Sequence, residues 1–416
     1  MRSHNIHNPK AAHFFTKAFP LFLAIFIDGM GLGLLFPILN TLFISSHSHF
    51  LPSSFSSQTR NLLFGFTISI FMLAWFFGAA YLGDLSDAIG RKKSLMIALF
   101  GAFLGYLVSA IAVELHSITF LIIGRIIAGF TAGSQSIAQA AIVDISEPDL
   151  KARNIGLILM FASLGFVFGP MCGGFFSSPQ IYSGFTLSTP LYFAAFISLL
   201  NAVLLFWLFK ETYKTRSKIS LKFHRAIEIF ISAFKNHKVR YLSFVFLLML
   251  LGWGCFYSFI SLFLTKQLNF SALQVNIFMV LLALGFWAGF GFIVNWIVHH
   301  LSTKQTIISA LIMCGTISFI TALSTLSWMM WIIAVLIGMS ISVPYSMMIA
   351  VFSNQVDENS QGWVMGITGA IASGAFAIAG FGGAFLADNS PNLPIIFSAL
   401  FFMLSGIAMC YSKVKN

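Results

Sequence analysis

The sequence predicts an all-α integral membrane protein with twelve transmembrane helices in two pseudo-symmetric six-helix halves. Three observations predict it. Only 8% of the 416 residues are charged and 58% are hydrophobic, with 49 phenylalanines; a soluble domain carries about 25% charged residues. Twelve apolar runs match the roughly 20 residues that a spanning helix needs. Lysine and arginine gather in the connections on one side of those runs, the bias that orients membrane proteins.

The runs fall at 19–45, 62–83, 94–113, 118–143, 154–177, 189–209, 240–265, 274–298, 305–323, 328–352, 363–386 and 393–412. They are continuous and lack the period-two alternation of barrel strands, so helices are expected. The longer runs imply tilt or ends that protrude from the hydrocarbon. On one side lie Arg2, Lys10, Lys17, Arg91, Lys92, Lys93, Lys151, Arg153, a basic stretch from Lys210 to Arg240, Lys304, Lys413 and Lys415; the other has only Arg60 and Lys266. Both termini are therefore expected to be cytoplasmic, in a bacterial inner membrane. The same placement accounts for the net charge of +11 without a nucleic-acid partner. The four cysteines lie inside apolar runs without paired spacing and read as small core residues. The first run is too long for the apolar region of a signal peptide and lacks a small-residue cleavage site.

The longest connection divides the chain: a tail at 1–18, a six-helix bundle at 19–209, a linker at 210–239, a second bundle at 240–412 and a tail at 413–416. Within the linker, Phe223, Ile227, Phe230, Ile231 and Phe234 recur at helical spacing, with Lys222, Arg225, Glu228 and Lys235 between them. This pattern suits a helix in the membrane interface, the alternative being a solvated linker.

Charges inside a membrane are expensive and mark functional candidates. Asp28 lies in the middle of span 1 and Arg125 in span 4. Low dielectric favours the protonated form of a carboxyl, and a nearby guanidinium favours the carboxylate. A site poised between those influences can take up and release protons, with arginine as a fixed counter-charge. The competing reading is an ion pair that pins spans 1 and 4 together.

Small residues crowd span 4 (Gly124, Gly129, Ala132, Gly133, Ser134, Ser136, Ala138) and span 5 (Gly156, Gly165, Gly169, Pro170, Gly173, Gly174). They allow close helix packing in lipid, and the bunching around Pro170 leads us to expect a functional bend there. Span 11 repeats part of the pattern at Gly374, Gly380, Gly382 and Gly383, with Phe381 in place of the proline, as in a six-plus-six repeat. Between spans 2 and 3, Gly83 and Gly90 permit sharp turns. Asp87 can accept backbone N–H bonds at a helix start. Arg91 can pair with Asp87 or Asp144, a cluster expected to latch one half against the other.

These segments resemble the major facilitator superfamily. Gly83, Asp87, Gly90, Arg91 and Lys92 match its G-x-x-x-D-x-x-G-R-[KR] motif, with Ala88 in place of the usual basic residue. Gly124-Arg125-x-x-x-Gly129 resembles the span-4 motif linked there to proton coupling. Gly165-x-x-x-Gly169-Pro170-x-x-Gly173-Gly174 resembles the span-5 motif of twelve-span drug:proton antiporters. Asp28–Pro37, Pro190–Ala195 and Phe209–Thr212 are similar to segments of the tetracycline-resistance-like group. The likeness weakens in the second half, where Asn295–His300 lacks the acid and arginine of a second loop motif. Tetracycline pumps carry further membrane acids in spans 3 and 9. Here span 3 reads Gly101-Ala102-Phe103-Leu104-Gly105-Tyr106 and span 9 has no acid.

The resemblance implies a proton-coupled exporter of small amphipathic molecules that works by alternating access as a monomer. Candidate cavity residues are Trp75, Gln135, Gln139, Trp253, Tyr257 and Trp287. A siderophore or metabolite exporter of narrow specificity and a proton-linked nutrient importer are the alternatives. No metal-ligand spacing, nucleophile elbow or phosphate-binding loop is present, so no enzyme, metal or cofactor is expected. Uphill transport would draw on a proton gradient.

Overall fold

The computed structural model describes residues 9–44, 50–146, 151–212, 224–294, 296–297, 301–356 and 361–412. The tails at 1–8 and 413–416, Lys222 and Phe223 of the linker, and Asn295 and Val298–His300 lie outside the described residues. Among those described, the chain is helical: α1 (Pro9–Ile44), α2 (Ser57–Ile89), α3 (Arg91–Glu114), α4 (Ile118–Thr131), α5 (Ser134–Asp144), α6 (Lys151–Phe176), α7 (Thr189–Leu208), α8 (Arg225–Lys235), α9 (Arg240–Gln267), α10 (Ala272–Ala288), α11 (Thr303–Leu323), α12 (Ser327–Asn354), α13 (Gln361–Asn389) and α14 (Leu393–Cys410). A π-helical turn, Gly289–Ile293, continues α10. Among the described residues, 11 helices are long and apolar enough to cross a membrane, taking α4 and α5 as one span. The apolar run Met160–Phe176 inside α6 occupies the place of the fifth.

Glycine decides how the helices approach. A methyl group at Gly29 would strike the Ala162 carbonyl, one at Gly33 the Pro170 ring, one at Gly169 the Met30 carbonyl, and one at Gly173 the Leu34 carbonyl. The antiporter-like motif of span 5 is therefore the seam on which α6 meets α1. α6 runs through Pro170 without a break, because the proline ring is seated in the space left by Gly33. The interruption falls in span 4 instead, at Ala132-Gly133 between α4 and α5.

The joint between spans 2 and 3 also differs from expectation. Gly83 lies inside α2, which runs on through Asp87 to Ile89. Only Gly90 turns, at φ +102°. Its missing side chain leaves room for the Glu211 carboxylate. Glu211 accepts the backbone N–H groups of Arg91 at 2.9 Å and Lys92 at 3.1 Å. The cap expected of Asp87 is supplied by Glu211, since Asp87 sits in the last turn of α2, where no free N–H faces it.

The two halves meet directly at the ends that carry Arg60 and Lys266. Asn40 Nδ2 donates to Thr265 Oγ1 at 2.8 Å. Lys266 Nζ donates to Ser57 Oγ and Asn61 Oδ1, each at 2.9 Å. Asn276 Nδ2 reaches the Gly174 carbonyl at 3.5 Å. Gly65 of α2 packs on Gly380 and Ala384 of α13, and Phe64 meets Phe259 edge to face. At the opposite, basic ends, Gly366 of α13 meets only Ile229 of α8, and Gly369 meets no neighbour within 4 Å.

The linker helix α8 lies at these basic ends and touches both halves. Arg225 Nε bonds Asp84 Oδ1 of α2 at 2.9 Å. Phe230 packs edge to face on Phe76 of α2 and lies against Gly374 of α13. Trp363 Nε1 of α13 donates to Ser232 Oγ at 3.2 Å. Ala226 and Ala233 are buried against the bundle, while Ile227 and Ile231 are exposed. The linker helix thus has one packed apolar face and a second, open one.

Candidate functional site

Asp28 sits in mid-α1 and is 6% exposed. Its flanking glycines, Gly29 and Gly31, let α6 and the Tyr106 hydroxyl approach α1 on either side of it. Opposite is the interruption of span 4. The Ser134 hydroxyl, on the first residue of α5, donates to Asp28 Oδ2. A helix start presents free N–H groups and the positive end of the helix dipole, so it suits an anion. Breaking span 4 here supplies in mid-membrane the donors that a buried carboxylate needs.

Arg125 is on α4, 3% exposed. Its guanidinium lies 3.9 Å from the centroid of the Phe71 ring, a cation–π contact across to α2. Among the described residues its Nε and Nη1 have no hydrogen-bond partner. Among the described residues Asp28 and Arg125 form no ion pair. The simple pin between spans 1 and 4 is therefore not the arrangement observed. The Tyr106 phenol of α3 lies within electrostatic reach of both charges, and its hydroxyl rests against Gly31. Gly105 packs on the Ala128 backbone and Gly124 on Ser109, which brings α3 and α4 close enough for Tyr106 to reach α1.

The Asp87–Arg91–Asp144 cluster forms, but within one half. Arg91 Nη1 bonds Asp87 Oδ1 at 2.8 Å and Ser86 Oγ, and Arg91 Nε reaches Asp144 Oδ2 at 3.5 Å. It ties α2, α3 and α5 together. The acid of this segment that reaches beyond the first bundle is Asp84, through Arg225 of α8.

The cavity candidates scatter. Trp75, Gln135 and Gln139 are half-buried. Trp253 and Tyr257 are buried on α9 in an aromatic cluster with Phe256 and Phe286, the Trp253 ring lying 5.2 Å from Tyr257 and 5.3 Å from Phe286. Trp287 is 51% exposed and shares an outward stripe with Leu273, Ile277 and Leu284 that runs the length of α10. Such a stripe is the pattern of a face that a spanning helix turns to lipid.

Sequence reasoning missed Ser134 as a partner of Asp28, Tyr106 as the group between the charges, and Glu211 as a cap. One signal was available: a hydroxyl directly after Ala132-Gly133 is the composition of a helix start. Nothing in spacing alone aims Tyr106 at Gly31.

The comparisons with known proteins agree with this fold. The chain is 27% identical to the class C tetracycline resistance protein of Escherichia coli over 348 residues, 83% of each chain. It is 23% identical to Multidrug resistance protein 2 of Bacillus subtilis over 397 residues, 94% of each. The crystal structure of the human organic anion transporter MFSD10 (TETRAN) superposes with a TM-score of 0.73 at 20% identity, covering 95% of this chain and 99% of that one. The family model for the Major Facilitator Superfamily matches residues 21–380, nearly the whole twelve-span body. The chain belongs to the Major Facilitator Superfamily, and it is a transporter rather than an enzyme.

Proposed function

We propose that this protein is a proton-coupled exporter of small amphipathic molecules that works by alternating access as a monomer. It would sit in a bacterial inner membrane with both termini cytoplasmic and use the proton gradient without a cofactor. The observation that carries the reading is Asp28: a carboxyl buried in mid-membrane, held by Ser134 at a break in span 4. Such a group can exchange a proton when the cavity changes sides. The drug-resistance names of the relatives support the export direction and the solute class. The absence of membrane acids from spans 3 and 9 argues for a solute other than metal–tetracycline.

With the basic ends cytoplasmic, the seam between the halves is closed outside and α8 lies across the inner mouth. The test is flux direction in inverted membrane vesicles over a panel of amphipathic cations, organic anions, neutral drugs and siderophores. Accumulation driven by an inside-acid gradient is expected for an exporter. Loss of preloaded solute under the same gradient contradicts export and favours the nutrient-importer alternative.

A further inference from the structure

α2 and α13 run antiparallel, and they touch over only part of their length. At the ends that carry Arg60 and Lys266, Gly65 packs on Ala384 and Ser69 on Gly380. Four residues forward on α2 thus answer to four residues back on α13, and that step sets a register. Continued toward the basic side, it pairs Phe76 with Ser373, Ala80 with Gly369 and Gly83 with Gly366. Gly83 lies about five turns beyond Gly65, and Gly366 about five turns before Ala384, so each stays on the same face of its helix.

The later pairs do not meet. Among the described residues, a methyl group at Gly83 or Gly369 would find nothing within 4 Å, and one at Gly366 only the Ile229 side chain at 4.0 Å. Small residues let helices close on each other in lipid. Two such faces therefore stand in register and apart.

The linker helix α8 stands where they part. Its Phe230 ring lies edge to face on Phe76, with centroids 6.0 Å apart. A methyl group at Gly374, beside Ser373, would lie 3.4 Å from the same ring. Phe230 thus fills the place where the register would bring Phe76 against Ser373. Ala226 and Ala233, about one turn before and after it, are buried, so the ring belongs to the packed face of α8. The helix is held to both halves: Arg225 bonds Asp84 of α2 at 2.9 Å, and Trp363 of α13 donates to Ser232 at 3.2 Å. Close-packed helices leave no room for an aromatic ring between them. The seated ring and a closed seam exclude each other.

We propose that α8 is a wedge in the transport cycle. Phe230, seated between Phe76 and Gly374, holds the basic ends of α2 and α13 apart, and its withdrawal lets them close through Ala80 on Gly369 and Gly83 on Gly366. This role rests on the alternating-access reading, since only a carrier that closes its basic side uses that seam.

The test measures spin-label distances across the basic side of the full-length protein in nanodiscs. Labels at Lys93 and Gln305, both exposed, are attached through an encoded keto amino acid, which leaves the native cysteines untouched. Phe230→Ala should raise the short-distance population about tenfold over wild type. Ile231→Ala, on the exposed face of α8, should leave the distribution unchanged. Gly369→Leu, at a helical position with no neighbour within 4 Å, should erase the short component even when combined with Phe230→Ala, because the bulky side chain blocks the seam. A wild-type distribution in Phe230→Ala, an equal shift from Ile231→Ala, or a short component that survives Gly369→Leu would overturn the wedge. Lys266→Met, which frees the opposite ends, separates this failure from failure of the cycle. A short component in Lys266→Met but not in Phe230→Ala removes the wedge and leaves alternating access standing. None in either variant removes both.

Discussion

The Ser134 hydroxyl donates to the Asp28 carboxylate across the interruption of span 4, joining the first residue of α5 to mid-α1. The break in one helix thus creates the polar environment that keeps a membrane-buried acid in another.

Ser134→Ala removes this donor without changing the helix start. A hydrogen bond to a charged group is worth roughly 1.5–3 kcal/mol. Substrate-driven proton exchange in proteoliposomes should fall about tenfold or more, with protein yield and thermal stability little changed. Wild-type exchange in this variant would show that Ser134 does not support Asp28.

Gly33 gives the Pro170 ring its seat. Gly33→Ala should overpack the α1–α6 seam and cost about 1–3 kcal/mol. The expected readout is a lowered unfolding midpoint in detergent. Gly83→Ala, at a helical position with no neighbour within 4 Å, is the control and should leave the midpoint at or above wild type.

Lys266 clamps the closed seam through Ser57 and Asn61. Lys266→Met removes both bonds, about 1 kcal/mol each. The population open at the Arg60 and Lys266 side should rise by more than about tenfold. Spin-label distances between the ends of α2 and α13 would report this as a longer component. An unchanged distribution would mean that the other contacts, Asn40 to Thr265 and Gly65 on Gly380, hold the seam without Lys266.

Arg225→Ala releases α8 from Asp84. Hydrogen exchange should speed up in residues 225–235 while the spanning helices stay protected. If α8 exchanges as in wild type, its hold comes from Phe230 and Trp363 and not from the ion pair.

Much of the architecture was legible because lipid imposes a simple rule: long apolar runs become helices, and basic residues sort to one side. Asp28 and Arg125 stood out for the same reason. What could not be read were relations between distant helices. The glycines around Pro170 pointed to a bend because glycine and proline break isolated helices; that they also form a packing seam depends on Gly33, far away in sequence. Asp87 looked like a cap because it precedes Gly90. The helix instead continues to Ile89, and Glu211 arrives from the end of span 6 to do the capping. Arg91 was expected to bridge the halves, but its partners Asp87 and Asp144 belong to its own bundle. Trp287 could not be told from a cavity tryptophan by composition, because lipid-facing and cavity-facing aromatics differ only in which stripe of the helix they occupy.

The most direct test of the account is substrate-induced proton movement in proteoliposomes, wild type against Asp28→Asn, over the same solute panel. The account predicts that at least one amphipathic solute releases protons through the wild type and none through the variant, while the variant still binds that solute. Proton movement that persists in Asp28→Asn, or a wild type that carries solute without moving protons, would contradict it.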